Sequence, residues 1–318
     1  MKKSKGLLIA LASMLVLGGA FAFREVRIVE KKRASEITDY GLAKRGSATI
    51  SGCAVLKTAY AKTLEGFVYQ GGSPWKTRRL VHVAFLVRHP KGNLLIDTGL
   101  GAKASEQFKE LSFIDRILLK YEKLGAPRKL VQKAGTDPES IRGIILTHMH
   151  WDHAGGIQDF PNSTIHTTRT EHSFAFSAEA KPPSFIKSQY SGNRIRWKFI
   201  ELTDGPYAGF PRSRDFYGDG SIIIVPLSGH TPGSIGIFIT TPGGKQVFII
   251  GDLTWSLEGI RLPAHKFYIS RSMVDRDTAA MEKHMFHIRA MSKKHPELII
   301  IPVHDEKAMN AAAKACGE

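Results

Sequence analysis

From about residue 48 onward the chain alternates short apolar runs with clusters of turn residues. Ala48–Leu56 predicts a strand. Leu80–Val87 and Asn93–Asp97, separated by Pro90-Lys91-Gly92, predict a hairpin. Ile144–Leu146, Ile222–Leu227, Ile235–Thr240, Val247–Ile250 and Leu298–Val303 are continuous apolar stretches, the mark of strands buried on both faces. Helical spacing appears in fewer places. Leu111, Ile114, Ile117, Leu118 and Tyr121 predict an amphipathic helix within 108–124, and Met281, Met285 and Ile288 a late one. Asp137-Pro138-Glu139 reads as a helix start, and Gly66–Trp75 as a loop. No linker divides residues 48–310, so 47–318 is read as one domain.

The first residues follow another pattern. Lys2, Lys3 and Lys5 precede an uncharged run, Gly6–Phe23, which contains Ala20-Phe21-Ala22 before charge returns at Arg24. That order is that of a secretory signal. Residues 1–23 are therefore read as a signal peptide cleaved after Ala22, or as a signal anchor that keeps residues 6–23 in the inner membrane. Residues 24–46 read as a linker. Either way the expected location is outside the cytoplasm, periplasmic or extracellular.

Composition narrows the class. Hydrophobic residues make up 42% and charged residues 23% of 318, which excludes wholesale disorder and fibrous classes. The formal charge is +16, but the excess is scattered and no nucleic-acid module is visible, so no specific nucleic-acid partner is expected. Two cysteines exclude a Cys-rich zinc cluster.

The chemistry concentrates where apolar strands end. Thr147-His148-Met149-His150-Trp151-Asp152-His153 follows one such run and precedes Gly155-Gly156. Three imidazoles and a carboxylate in six positions suit zinc or a similar divalent ion. Three further strands terminate in candidate ligands: Leu227 leads to His230, Ile250 to Asp252 and Val303 to His304.

These residues resemble the metallo-β-lactamase superfamily. L-I-D-T-G at 95–99, T-H-M-H-W-D-H-A-G-G at 147–156, G-H-T-P-G-S at 229–234, G-D at 251–252 and P-V-H-D at 302–305 stand in its motif order. The resemblance implies an α+β fold, a four-layer αβ/βα sandwich. It assigns His148, His150 and His230 to one metal, Asp152, His153 and His304 to a second, and Asp252 as the bridge. Asp97 is implied to be a buried carboxylate that orients the metal loop without ligating. The implied cofactors are two zinc ions sharing a hydroxide that attacks the substrate, with Asp152 and Asp252 placed to handle the proton.

Departures from the family pattern select the branch. Asp252 stands where antibiotic-hydrolysing members usually carry Cys, and His150 where oxygen-reducing di-iron members carry Glu. The arrangement is most similar to the N-acyl homoserine lactone lactonases, which implies a small ester or lactone substrate. Trp255 replaces the Tyr usual in that branch, and indole is a donor only. Trp255, Tyr69 and Trp75 are candidate pocket residues, and the aromatics of 172–217 read mainly as core, with a few free to line an apolar groove. A phosphodiesterase or nuclease of the same fold is the alternative, and a non-catalytic metal-binding scaffold a further one. Under the resemblance Cys53 and Cys316 fall on neighbouring edges. They are either paired, as export permits, or left as a buried strand residue and an exposed tail thiol.

Overall fold

The computed structural model describes residues 50–317 other than Asn193. The signal or anchor reading of 1–23 and the linker reading of 24–46 lie outside the described residues.

Two sheets form the frame. The first runs β4-β1-β2-β3-β5-β6-β7, from β1 (Gly52–Leu64), β2 (Thr77–Arg88), β3 (Asn93–Ile96), β4 (Tyr121–Lys123), β5 (Ile141–Ile145), β6 (Thr164–Thr167) and β7 (Arg196–Phe199). The second runs β12-β11-β10-β9-β8, from β8 (Arg214–Asp215), β9 (Ile222–Pro226), β10 (Ile235–Thr240), β11 (Gln246–Ile249) and β12 (Ile299–Ile301). The β2–β3 hairpin is antiparallel, while β3, β5, β6 and β7 run parallel.

Period-two alternation explains the layers. On β2, Val81, Val83, Phe85 and Val87 meet Ile222, Ile224, Ile237, Val247 and Ile249 of the second sheet in one core. Ala84 and Leu86 point the other way, into a cluster with Val131, Ala154 and Ala175 from flanking helices. The second sheet repeats the arrangement: Val225, Phe238 and Phe248 turn outward onto Met281, Met285 and Ile288 of the helix Thr278–Lys294. Helix, sheet, sheet, helix is the expected α+β sandwich. Each fully buried side chain of this size contributes roughly 1.5–3 kcal/mol of apolar burial.

Two local readings change. The helix expected within 108–124 is broken into a 3-10 turn at Phe108–Glu110, a short helix at Phe113–Leu118 and strand β4. Ser112 caps the short helix by accepting from the Asp115 N–H, and Tyr121–Lys123 pair with Ala59–Ala61 of β1. Sheet pairing claims the second half of the pattern, and Ile114 and Ile117 are left exposed. The first strand begins at Gly52 and continues to Leu64, well past the expected end at Leu56.

Cys53 on β1 and Cys316 at the end of the helix Glu306–Cys316 are joined as a disulfide, with Cα atoms 5.1 Å apart.

Candidate metal centre

The five motifs converge at one edge of the paired sheets. Beyond β5, Met149 turns into the core while His148 and His150 turn away from it, and the helix Trp151–Ala154 carries Asp152 and His153. His230 follows β9, Asp252 follows β11 and His304 follows β12. Gly251 makes the turn into Asp252 at φ 52°, a conformation L side chains rarely adopt.

The side chains form two linked groups. Ligand atoms of His148, His150 and His230 lie within 4.8 Å of one another, as do those of His148, His153 and Asp252. His304 Nε2 lies 3.3 Å from Asp152 Oδ2. Asp252 stands between the groups. Its Oδ2 is 3.5 Å from His230 Nε2 and 3.1 Å from His304 Nε2, and its Oδ1 is 3.3 Å from His153 Nε2. The seven residues expected as ligands thus lie in one cluster, with Asp252 between its parts, and His82 joins Asp152 and His304 there.

Whether these residues suit a metal is tested by their unmet hydrogen bonds. His148 Nε2, His153 Nε2 and Asp252 Oδ1 are buried and have no hydrogen-bond partner among the described residues, while His150 turns its Nδ1 to the cluster, 2.9 Å from His230 Nε2. Leaving such groups unpaired costs ~1–3 kcal/mol each. Divalent cations would satisfy them together, and neutral imidazole with carboxylate is the donor set zinc takes.

The surrounding hydrogen bonds fix the rings. Asp97, at φ 52°, accepts from the Thr147 N–H at 2.7 Å, from Thr147 Oγ1 at 2.8 Å and from His153 Nδ1 at 2.8 Å. These bonds hold the start of the 147–153 loop and orient the His153 ring. His304 Nδ1 donates to the Val81 carbonyl at 2.8 Å. His230 Nδ1 lies 2.7 Å from Asp275 Oδ1, which also accepts from the fully buried Lys266. The Lys266 ammonium reaches the Asp252 carbonyl as well, at 2.7 Å. Glu171 ties two ligand loops together, accepting from the Met149 N–H, the Thr231 hydroxyl and the Gly233 N–H. A Cβ on Gly233 would sit 2.2 Å from the Glu171 nitrogen, so only glycine fits there.

Asp275, Lys266, Glu171 and His82 were not singled out in the sequence. Only His82 carries a visible signal, as the one polar residue in the run Leu80–Val87.

Electrostatics separates the histidines. Burial, then neighbouring imidazoles, pushes His148 and His150 well below the ordinary imidazole range, so both are neutral ligands in waiting. Burial also opposes charge on His153 and His304. There it is outweighed, by Asp97, Asp152 and Asp252 at His153 and by Asp252 and Asp152 at His304, and both pKa values are raised. Asp252 and Asp152 resist burial through the same pairs and are lowered.

A ligating imidazole must lose its proton, so cations compete with protons at His153 and His304 above the usual histidine range. Metal affinity is expected to rise steeply with pH through and above the ordinary histidine pKa of ~6.5, with protons released on binding. Calorimetric titration of metal-free protein in buffers of different ionisation enthalpy checks this. An affinity independent of pH over that range would contradict the assignment of these two rings.

Above the cluster lies a cavity of about 270 Å³. Asp152, Asp252, His150 and His304 line its floor, and Phe67, Leu118, Trp255, Ile269 and Met273 its walls. Trp255 is thus in the pocket, and its indole N–H donates to Asp252 Oδ2 at 2.9 Å. The other two pocket expectations change. Trp75 is 89% exposed and does not line the cavity. Tyr69 is buried in a small cluster with Val68, Leu80 and Ala264, with Trp255 packed against it, so it supports the wall from behind. Among 172–217 the cavity is lined by Pro183 and Ser184 and by none of the aromatics, of which Phe185, Tyr190 and Phe210 are core.

A profile of the metallo-β-lactamase superfamily matches residues 77–304, which include every residue of the cluster. N-acyl homoserine lactonase AttM of Rhizobium radiobacter is 24% identical over 234 residues, covering 73% of this chain and 84% of the relative. A probable metallo-hydrolase of Mycobacterium tuberculosis, Rv2300c, is 28% identical over 243 residues, covering 71% and 74%. Among solved structures, an N-acyl homoserine lactone hydrolase holding N-hexanoyl-L-homoserine at its catalytic metal centre superposes with a TM-score of 0.64 at 20% identity, covering 83% of this chain and 96% of that one. AidC, a dizinc quorum-quenching lactonase, superposes with a TM-score of 0.56 at 19% identity, covering 86% and 92%.

Proposed function

The chain belongs to the metallo-β-lactamase superfamily, and from that premise we propose that it is a dinuclear zinc hydrolase that opens lactones or small esters outside the cytoplasm. The observation that carries this reading is the set of buried, unpartnered imidazole and carboxylate atoms at the floor of an apolar-walled cavity. The names of the relatives support the lactone class, and the resident dizinc centre of AidC supports the metal. The disulfide between Cys53 and Cys316 supports an oxidising compartment.

His148, His150 and His230 would hold one cation and Asp152, His153 and His304 the other, with Asp252 shared. Bound there, a zinc pair supplies a water acidic enough to ionise near pH ~7 and a Lewis acid for the carbonyl oxygen. The chain's own contribution is placement. Asp97, Asp275 and the Val81 carbonyl fix three imidazole rings, and the Trp255 indole N–H donates to Oδ2 of Asp252. Asp152 and Asp252 are the carboxylates within reach of the reacting centre and take up or return its proton. Phe67, Leu118, Ile269 and Met273 shield the cavity and suit an acyl or alkyl substituent. Among the described residues Lys62 is the one cationic side chain lining the cavity besides the imidazoles, a poor match for a phosphodiester backbone.

A substrate panel on zinc-loaded protein tests the reading. Turnover of γ-lactones or aryl esters without turnover of bis-nitrophenyl phosphate is expected. Phosphodiester turnover that exceeds lactone and ester turnover would replace this reading with the alternative.

A further inference from the structure

His82 lies on β2 among Leu80, Val81, Val83 and Ala84, where an apolar side chain would satisfy the core. It is 5% exposed, and its Nδ1 lies 2.9 Å from Asp152 Oδ2. Its ring packs against Trp151 and His304, each with centroids 5.3 Å away. Ligand atoms of His82, Asp152 and His304 lie within 4.8 Å of one another. His82 Nε2 is buried without a partner, so the ring is not kept for a hydrogen-bond network of its own. Among the described residues its one side-chain hydrogen-bond partner is Asp152.

The backbone is shaped around this residue. The β1–β2 pairing slips between Lys57 and Ala59, leaving Thr58 as a bulge beside His82. Thr58 Oγ1 donates to the His82 carbonyl at 2.9 Å and accepts from the Leu100 N–H at 2.9 Å. Bulges of this kind re-aim side chains beside functional sites. The Asp152 carboxylate, in turn, has no other hydrogen-bond donor among the described residues once His153 and His304 turn their Nε2 atoms to a cation. Donors behind metal-bound groups typically change metal affinity ~10–100-fold.

We propose that His82 is a positioning residue of the metal centre, whose Nδ1–H holds Asp152 against His304 and so sets how tightly the second cation is bound. This rests on the dinuclear reading above. The ring keeps Asp152 from rotating away when the site is empty, and it takes one lone pair of Oδ2 so that the other is directed to the cation.

The experiment is a zinc titration of full-length, metal-free protein against a fluorescent chelator, for the parent and for His82→Phe and His82→Asn. Phe keeps the bulk against Trp151 but donates nothing; Asn places an N–H near the position of Nδ1. The parent is expected to take two zinc ions. His82→Phe should bind the first as the parent does and the second ~10–100-fold more weakly, and His82→Asn should recover most of the loss. Equal affinities in His82→Phe and the parent would overturn the proposal. So would His82→Asn as weak as His82→Phe, which would point to direct coordination. A parent that binds fewer than two ions would instead remove the dinuclear reading, a separable result. If His82→Phe does not fold, nitrogen-15 histidine spectra of the zinc-loaded parent decide. A protonated Nδ1 and a metal-free Nε2 at His82 are expected, and a zinc-shifted nitrogen at that ring would overturn the assignment.

Discussion

Asp252→Ala is expected to reduce the metal content from two ions to one and to lower lactone or ester turnover by at least ~10³-fold. The carboxylate is 5% exposed and stands within 3.5 Å of ring nitrogens from His153, His230 and His304, which belong to both halves of the cluster. Removing it takes away the carboxylate that, among the described residues, stands between the two halves. Two cations a few ångströms apart repel strongly in a buried site, where the effective dielectric constant is far below that of water. The second cation is therefore the one lost. Its departure removes part of the water activation and carbonyl polarisation, and losing a single preorganised electrostatic group already costs ~10²–10³ in rate. Asp252→Asn preserves shape and one oxygen, so it should retain more metal than the alanine variant while remaining impaired. Elemental analysis and kcat/KM on the same samples check the prediction, with circular dichroism to verify folding. Two tightly bound ions in Asp252→Ala would remove Asp252 from the shared position.

Much of this site was legible because its ligands sit at the ends of continuous apolar runs. Ile144–Leu146, Ile222–Leu227, Val247–Ile250 and Leu298–Val303 are strands in the structure, and the residues that follow them meet at one edge. Legibility stopped where function depends on contacts between distant segments. Lys266 and Asp275 have no local pattern, yet they brace His230 and the Asp252 backbone. Glu171 lies in the short helix Arg169–Phe176, and only its burial between two loops reveals its role. The helix expected within 108–124 failed for a related reason. Its apolar spacing was real, but Tyr121–Lys123 found a strand partner in β1, and a distant hydrogen-bonding edge outweighed local periodicity. Trp75 misled in the opposite direction, since an aromatic in a Gly-rich loop resembles a pocket residue until the loop turns it to solvent.

Breaking the Cys53–Cys316 bridge is expected to cost about 2–5 kcal/mol of unfolding free energy and to leave the metal centre intact. The two residues are 263 positions apart, so the bridge ties the first described strand to the last helix and encloses nearly all of the described fold. A long closed loop restricts the unfolded chain most, and in the chain-entropy model a 100-residue loop is already worth ~4.7 kcal/mol. Measured effects are commonly smaller, because the reduced unfolded state retains structure. The helix Glu306–Cys316 has an anchorage of its own. Ala308, Met309, Ala312 and Ala315 pack into the core between the sheets, and Asp305 caps its start by accepting from the Lys307 and Ala308 N–H groups. Reduction should therefore loosen the end of this helix before it unfolds the sandwich. His304 precedes the cap directly, but its ring is fixed by the Val81 carbonyl on β2, so ligand geometry should survive. Urea unfolding of the zinc-loaded parent and of the Cys53→Ser/Cys316→Ser double variant measures the difference. A lower midpoint at unchanged metal content and turnover is the expected outcome. Equal midpoints for the two proteins would show that core packing alone holds the helix, and a loss of zinc on bridge removal would show that the bridge shapes the site.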